Sequence, residues 1–379
     1  MFRRRLFQPE HDEFREVVRK FIDREIRPYH DQWERDGIVP RELWLAAGES
    51  GLLCCTIPEE YGGLGLDYLF DVVVFEEMAR SGFTGPGFMI HCDLVATYVY
   101  SFGTEAQRRY WLPKMVRGEA IGSLGMTEPH AGSDLRNIRT RAVLDGDHYI
   151  INGQKVFISN GQLCDLVVLA TRTATHDSQK GITLFLIDTS LPGFKRGRNL
   201  EKLGLKAQDT SELFFEGVQV PVENLLGGAE GEGMHQLMHD LPYERTVIAV
   251  GAVGAMEGGI DATLAYVRER KTFGQPVFSY QNTRFKLAEL ASIARIARVF
   301  TDRCIVDLVA GRLDTETASM AKWWTTDMQQ QVLDECVQLH GGYGYMNEYL
   351  VCRLFADSRV QRIYGGTNEI MKEVIARGL

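Results

Sequence analysis

The stretch Tyr149–Ala170 (YIINGQKVFISNGQLCDLVVLA) decides the fold. Three apolar runs, Tyr149–Ile151, Lys155–Ser159 and Leu166–Ala170, are separated by Asn152-Gly153 and Asn160-Gly161. Asn-Gly tolerates the positive φ angles of tight hairpins, so the stretch reads as strand, turn, strand, turn, strand. Ile182–Ile187 and Glu212–Phe215 continue the two-residue period, and Pro192, Pro221, Gly227, Gly228, Gly231 and Gly233 close the region. Residues 121–231 therefore read as an antiparallel β domain, a barrel or a sandwich.

On either side the period lengthens. Over residues 1–120, Phe14, Val17, Val18, Phe21 and Ile22 form one helical stripe. Phe70–Met78 and Leu94–Phe102 read as buried helices, set apart by breaks at Gly62–Gly65 and Ser81–Gly87. Over residues 232–379, Phe285, Leu287, Leu290, Ile293, Ile296, Ala297, Phe300, Cys304 and Leu308 keep helical spacing. A second long helix, Thr315–Leu339, stops at Gly341-Gly342. Long helices with short connections make a bundle. The order helical, β, helical defines an α+β multidomain chain and argues against a doubly wound fold.

Composition excludes other classes. Lys and Arg total 42 against 51 Asp and Glu, a formal charge of −9 over 379 residues, a field that repels nucleic-acid backbones. Val247–Met256, the longest uninterrupted apolar stretch, is far short of the ~20 residues a bilayer needs. Arg3-Arg4-Arg5 runs at once into Glu10, Asp12 and Glu13, which does not read as a targeting peptide. Seven cysteines without a C-x-x-C pair suit reduced thiols, so a cytoplasmic, bacterial setting is expected.

Spacing alone offers several candidate sites. Gly251, Gly254, Gly258 and Gly259 lack dinucleotide-binding spacing and suit close packing of a helix face. His235 and His239 stand four apart, but Gln236 occupies the place of a zinc-hydrolase glutamate, which favours surface or packing roles; no metal is expected. Thr127–Asp134 gathers hydroxyls and a glycine in a loop suited to a polar ring or a phosphate, or forms a plain turn. Glu244 is either a carboxylate at a helix N-terminus or one entering a low-dielectric pocket, where it could take a proton near neutral pH. Arg270–Gly274 ends another helix with positive charge and a hydroxyl, suited to pyrophosphate or to solvent.

Together these segments resemble the acyl-CoA dehydrogenases along essentially the whole chain. The resemblance is carried by Met126–Asp134 (MTEPHAGSD), Ile151–Gly161 (INGQKVFISNG), Arg270–Gly274 (RKTFG), Val337–Tyr345 (VQLHGGYGY) and Ile363–Ile370 (IYGGTNEI). It implies a helical N-terminal domain, a β middle domain, a C-terminal four-helix bundle, bound FAD and a homotetramer. The implied substrate is a fatty acyl-CoA thioester, desaturated between its α and β carbons, with electrons passed to an electron transfer flavoprotein. Leu124, Met126, Thr127 and Ser133 match the loop around the flavin ring, with Ser133 also toward substrate. Phe157 and Ser159 match the ring-stacking aromatic and the hydroxyl close to flavin N5, where the family often carries Trp and Thr. Arg270, Thr272, Phe273, Gln281, Gln338, Gly341 and Gly342 match the pyrophosphate and adenosine grip across a subunit interface. Thr367 and Glu369 match the cofactor side of the last helix; Arg245, Tyr364 and Gly365 match substrate positions.

One departure is diagnostic. Many members carry the base as Glu in Tyr-Glu-Gly-Thr, but this chain has Tyr364-Gly365-Gly366-Thr367. The isovaleryl and long-chain branches resemble this pattern and place the base where this chain has Glu244; Glu369 is the other candidate. Thr84–Phe88, Leu205–Thr210, Met320–Trp324 and Met371–Leu379 resemble the long-chain branch. Gly85 and Gly87 either leave volume for an acyl tail or serve a tight turn. Branched and terpenoid acyl-CoAs, and an oxygen-using oxidase or flavin monooxygenase on the same fold, remain open alternatives. His130, where relatives usually have Gly, has no role assigned by sequence.

Overall fold

A computed structural model describes residues 4–173 and 181–379; Arg3 of the basic run lies outside them. The first helical stripe forms α1 (Pro9–Phe21), which buries Val18 and Phe21 and leaves Val17 exposed. It is followed by α2 (His30–Asp36), α3 (Arg41–Glu49) and α4 (Tyr68–Ser81), capped at its start by Asp67 and stopped by Gly82 in a left-handed turn. A wide turn of π-helix, Ile90–Ala96, runs into α5 (Thr97–Phe102), and α6 (Glu105–Val116) completes the helical region.

Seven strands follow: β1 (Gly122–Gly125), β2 (Arg141–Asp145), β3 (His148–Ser159), β4 (Leu166–Thr173), β5 (Ile182–Asp188), β6 (Phe194–Asn199) and β7 (Thr210–Pro221). They form one curled sheet in which β4 pairs with β5 along one edge. Its other edge takes β1 at the start and β2 at the end. Two expectations are corrected. The sheet is mixed, because β1 arrives from the helical region rather than through a hairpin and lies parallel to β4, as does β2. Asn152-Gly153 is not a turn: β3 runs through it, with a register shift against β7 between Ile151 and Gly153. Gly153 is required by the close approach of Thr140, which a β carbon would strike. The real hairpin turn, between β2 and β3, is at Gly146, with φ +64°. Asn160 does turn the chain, at φ +60°, and its side-chain amide donates to the carbonyls of Gly87 and Gly122 at 3.1 Å each.

After the short helix α7 (Gly233–His239) come three long helices, α8 (Leu241–Glu269), α9 (Gln281–Val309) and α10 (Thr315–His340). Two short ones, α11 (Leu350–Ser358) and α12 (Asn368–Arg377), fill the remaining side of the bundle. The Glu244 helix and the helix ended by Arg270 are one and the same, α8, so that expectation is corrected as well. By length and composition α8 could cross a membrane, yet 72% of its apolar window is buried inside the fold. Its glycines explain why. A β carbon at Gly254 would come within 2.9 Å of the Glu76 carbonyl oxygen on α4, one at Gly258 would strike Arg80, and one at Gly259 would sit 2.6 Å from Leu333. The close-packing reading therefore holds for these three, whereas Gly251 faces open space.

Candidate active site

Glu244 lies in the first turn of α8, partly buried, and its Oε1 accepts a hydrogen bond of 2.9 Å from the phenol of Tyr98 on α5. Burial raises its carboxyl from the ordinary 4.5 to about 7. The Tyr98 hydrogen bond pulls the other way, the nearby Asp240 carboxyl adds to the rise, and Arg245 subtracts from it. Such a carboxyl is a base able to take a proton near neutral pH. Arg245 is buried, donates from Nη1 to Ser319 at 2.8 Å, and has no partner for Nε. Beside it Lys322, fully buried, donates to the Gly366 carbonyl at 2.7 Å and to Asn368 at 2.9 Å.

The segment that lacks the family's more common base comes to the same place. Gly365, at φ +62°, stands so close that its β carbon would lie 2.5 Å from Cδ1 of Ile248, one helical turn beyond Glu244. Tyr364 is partly buried beside it. Thr367 caps α12 by accepting from the Ile370 amide, and Glu369 is exposed, so only Glu244 of the two candidate carboxylates lies in a desolvated setting.

A second group forms on the sheet. Leu124 on β1 leads into Met126 and Thr127, whose carbonyl accepts from Val156 of β3 at 3.0 Å. Buried Lys155 donates to the Met126 carbonyl at 3.0 Å and pairs with buried Glu128 at 2.8 Å. Glu128 also accepts from the amides of Arg139 and Thr140 and lies 3.2 Å from His130 Nε2. The Thr127–Asp134 loop is thus anchored by a buried ion pair, and His130 belongs to that anchor. Ser133 is exposed at its tip. Phe157 stands at φ +60° beside a register shift in β3, with 66% of its surface exposed, and among the described residues no ring stacks on it. Ser159, at the end of β3, accepts through its carbonyl from Ser123 at 2.7 Å.

A third group lines a cavity of about 480 Å³: Arg270, Thr272, Gln338, Gly341 and Gly342, with Tyr266 stacked on His340 at 4.3 Å. A β carbon at Gly341 or Gly342 would meet no atom within 4 Å, so the backbone borders open space there. Phe273, 99% exposed at φ +49°, and Gln281, exposed at the start of α9, do not line it. Among the described residues no hydrogen bond or ion pair joins this group to the sheet group.

Sequence reasoning missed Tyr98, Asp240, Ser319 and Lys322. Tyr98 lies 146 positions from its partner in a segment that reads simply as apolar. The acyl-tail volume read into Gly85 and Gly87 is absent: a β carbon at Gly85 would meet Ala207 at 2.6 Å, and one at Gly87 would strike Asn160. His235 and His239 are exposed and stand edge-on to Phe102. Cys54, His91 and Cys92 have their ligand atoms within 4.8 Å of one another. However, Nδ1 of His91 already accepts from Gly122 and Nε2 reaches the Met115 carbonyl, so neither is free for a metal.

Three family models match in order: the acyl-CoA dehydrogenase N-terminal domain over residues 8–119, the middle domain over 123–218 and the C-terminal domain over 231–379. The chain belongs to the acyl-CoA dehydrogenase family, oxidoreductases acting on CH–CH bonds. It is 49% identical to the mitochondrial long-chain specific acyl-CoA dehydrogenase of Rattus norvegicus, over 99% of this chain and 87% of that one. An acyl-CoA dehydrogenase of Geobacillus kaustophilus superposes with a TM-score of 0.95 at 47% identity, covering 99% of both chains. A glutaryl-CoA dehydrogenase of Mycobacterium smegmatis, solved in complex with FADH2, superposes with a TM-score of 0.91 at 30% identity, covering 99% of this chain and 95% of that one.

Proposed function

We propose that Glu244 is the base that removes the α proton of a fatty acyl-CoA, giving the trans-2-enoyl-CoA. The observation that carries this is its carboxyl, desolvated to about 7 and held by Tyr98, while Glu369 stands in solvent. The residues fit FAD: the exposed Phe157 face and the anchored Thr127 loop suit a planar ring. The Arg270 cavity, bordered by bare backbone at Gly341 and Gly342, suits a pyrophosphate and adenosine. The chemistry that bound FAD supplies there is acceptance of the hydride leaving the β carbon. The α C–H is a weak acid, so hydrogen bonds to the thioester oxygen must accompany proton removal. Arg245, with an unpartnered Nε, stands next in sequence to the base and matches a substrate-contacting arginine of the family.

Among the described residues no hydrogen bond or ion pair joins the ring-facing group to the pyrophosphate-facing group, and the reading includes, as the family resemblance implies, a homotetramer in which one copy completes another's cofactor site. The electron acceptor is an electron transfer flavoprotein, as the family resemblance implies, and a long acyl chain follows the long-chain relative. Seven free cysteines suit a reducing compartment such as a cytoplasm.

The purified protein should be yellow and bleach anaerobically with a saturated acyl-CoA. Glu244→Gln should keep its flavin and fail to bleach; full turnover in that variant overturns the assignment. A panel of straight and branched acyl-CoAs, short to long, ranked by kcat/KM, fixes the tail.

A further inference from the structure

Two consecutive residues at the start of α8 are tied to one segment of the N-terminal region. Tyr243 donates to Oδ1 of Asp93 at 2.6 Å, and Glu244 accepts from Tyr98 at 2.9 Å. Asp93 and Tyr98 are five residues apart, which on a regular α-helix places side chains about 140° from each other. The wide π-turn over Ile90–Ala96 narrows that divergence, and both side chains reach the start of α8. The two bonds run in opposite senses, one donated by α8 and one received by it. The first turn of α8 can neither rotate nor slide without losing one of them. Tyr98 is 1% exposed, so its hydroxyl has no exchange with bulk water to replace that partner. Among the described residues no hydrogen bond reaches Oε2 of Glu244.

Resting on the reading of Glu244 as base, we propose that Tyr98 is its positioning residue, holding one carboxylate oxygen so that the other is presented to the substrate. A glutamate side chain left free loses rotamer entropy when it is ordered. A base already oriented does not incur that cost during proton transfer. The phenol also favours the ionised carboxylate, against the burial and the Asp240 charge that oppose ionisation. The other ionisable groups at this face are Arg245, next in sequence, Asp93, bonded to Tyr243, and His239, hydrogen-bonded to Asp240 at 2.8 Å.

The test is Tyr98→Phe in the full flavin-loaded enzyme. The acidic limb of the kcat profile should move up by about one pH unit and kcat should fall about tenfold, with KM changed less than about twofold. A fluorinated tyrosine at position 98, a better donor, should move the limb down. In substrate-free protein, the infrared carboxyl band that Glu244→Gln removes should titrate higher in Tyr98→Phe, a readout independent of turnover. If Tyr98→Phe does not fold, the fluorinated tyrosine and the band decide. An unshifted limb and band overturn the role of Tyr98 while Glu244→Gln is inactive; normal turnover in Glu244→Gln overturns the base assignment itself.

Discussion

Glu76 on α4 and Glu244 on α8 are both carboxylates withdrawn from water on helices that pack together, and they differ in what surrounds them. Burial pushes each upward. At Glu76 that push is overcome by Arg298, then Arg4 and Arg15, whose guanidiniums donate to both oxygens, so the group is driven down to about 2. Asp302 and Glu257 complete the cluster, which ties Arg4 and α1 to α4, α8 and α9. Glu244 has one neutral phenol and a single arginine nearby, and stays at about 7. Withdrawal from water alone does not set a carboxyl's affinity for protons; the number of cations that answer it separates a carboxylate held ionised from one that binds a proton near neutral pH.

Exchanging each charge for an amide should separate the two roles. Glu244→Gln should lower turnover about 10³-fold, roughly 4 kcal/mol of barrier, measured by anaerobic flavin reduction. Glu76→Gln should leave turnover per folded molecule unchanged and lower unfolding free energy by about 3 kcal/mol in denaturant titration, since it strands buried guanidiniums. The pH dependence has opposite signs at the two sites. The depressed Glu76 contributes stability that is present above its unfolded value near 4.5 and lost as pH falls toward 2, so Glu76→Gln should flatten the acid limb of the melting profile. The raised Glu244 favours the folded state below that value and costs stability as pH rises through about 7. Glu244→Gln should therefore gain about 1–2 kcal/mol at pH 8 and nothing at pH 4. Along α8 itself, Gly258→Ala should destabilise by about 2 kcal/mol through its clash with Arg80. Gly251→Ala, entering open space, should stabilise by about 0.5–1 kcal/mol.

The fold was legible where a pattern is local and repeated: the long helices α9 and α10, and the change of period that brackets the sheet. It was illegible where a long-range pairing overrode a local preference. Asn152-Gly153 has turn propensity, but pairing of β3 with β7 on both sides of it keeps the strand going. At the site, Glu244 was singled out through the motif around it, because its hydrogen bond to Tyr98 joins residues 146 positions apart and only Asp240, which also shifts its carboxyl, is near in sequence. The ion pair Lys155–Glu128 was missed although both residues lie inside quoted motifs, since charge in a strand reads as exposed and here is buried.

The seam between α4 and α8 has a consequence for how such an enzyme can diversify. Where Gly254 and Gly258 bring main chain against main chain, the two rods have no slack, so neither can shift to admit a new ligand. Gly251, on the same stripe as Glu244 and Ile248, has no atom of the described residues within 4 Å of where a β carbon would stand. Side chains exchanged along that stripe leave the α4–α8 seam as it is.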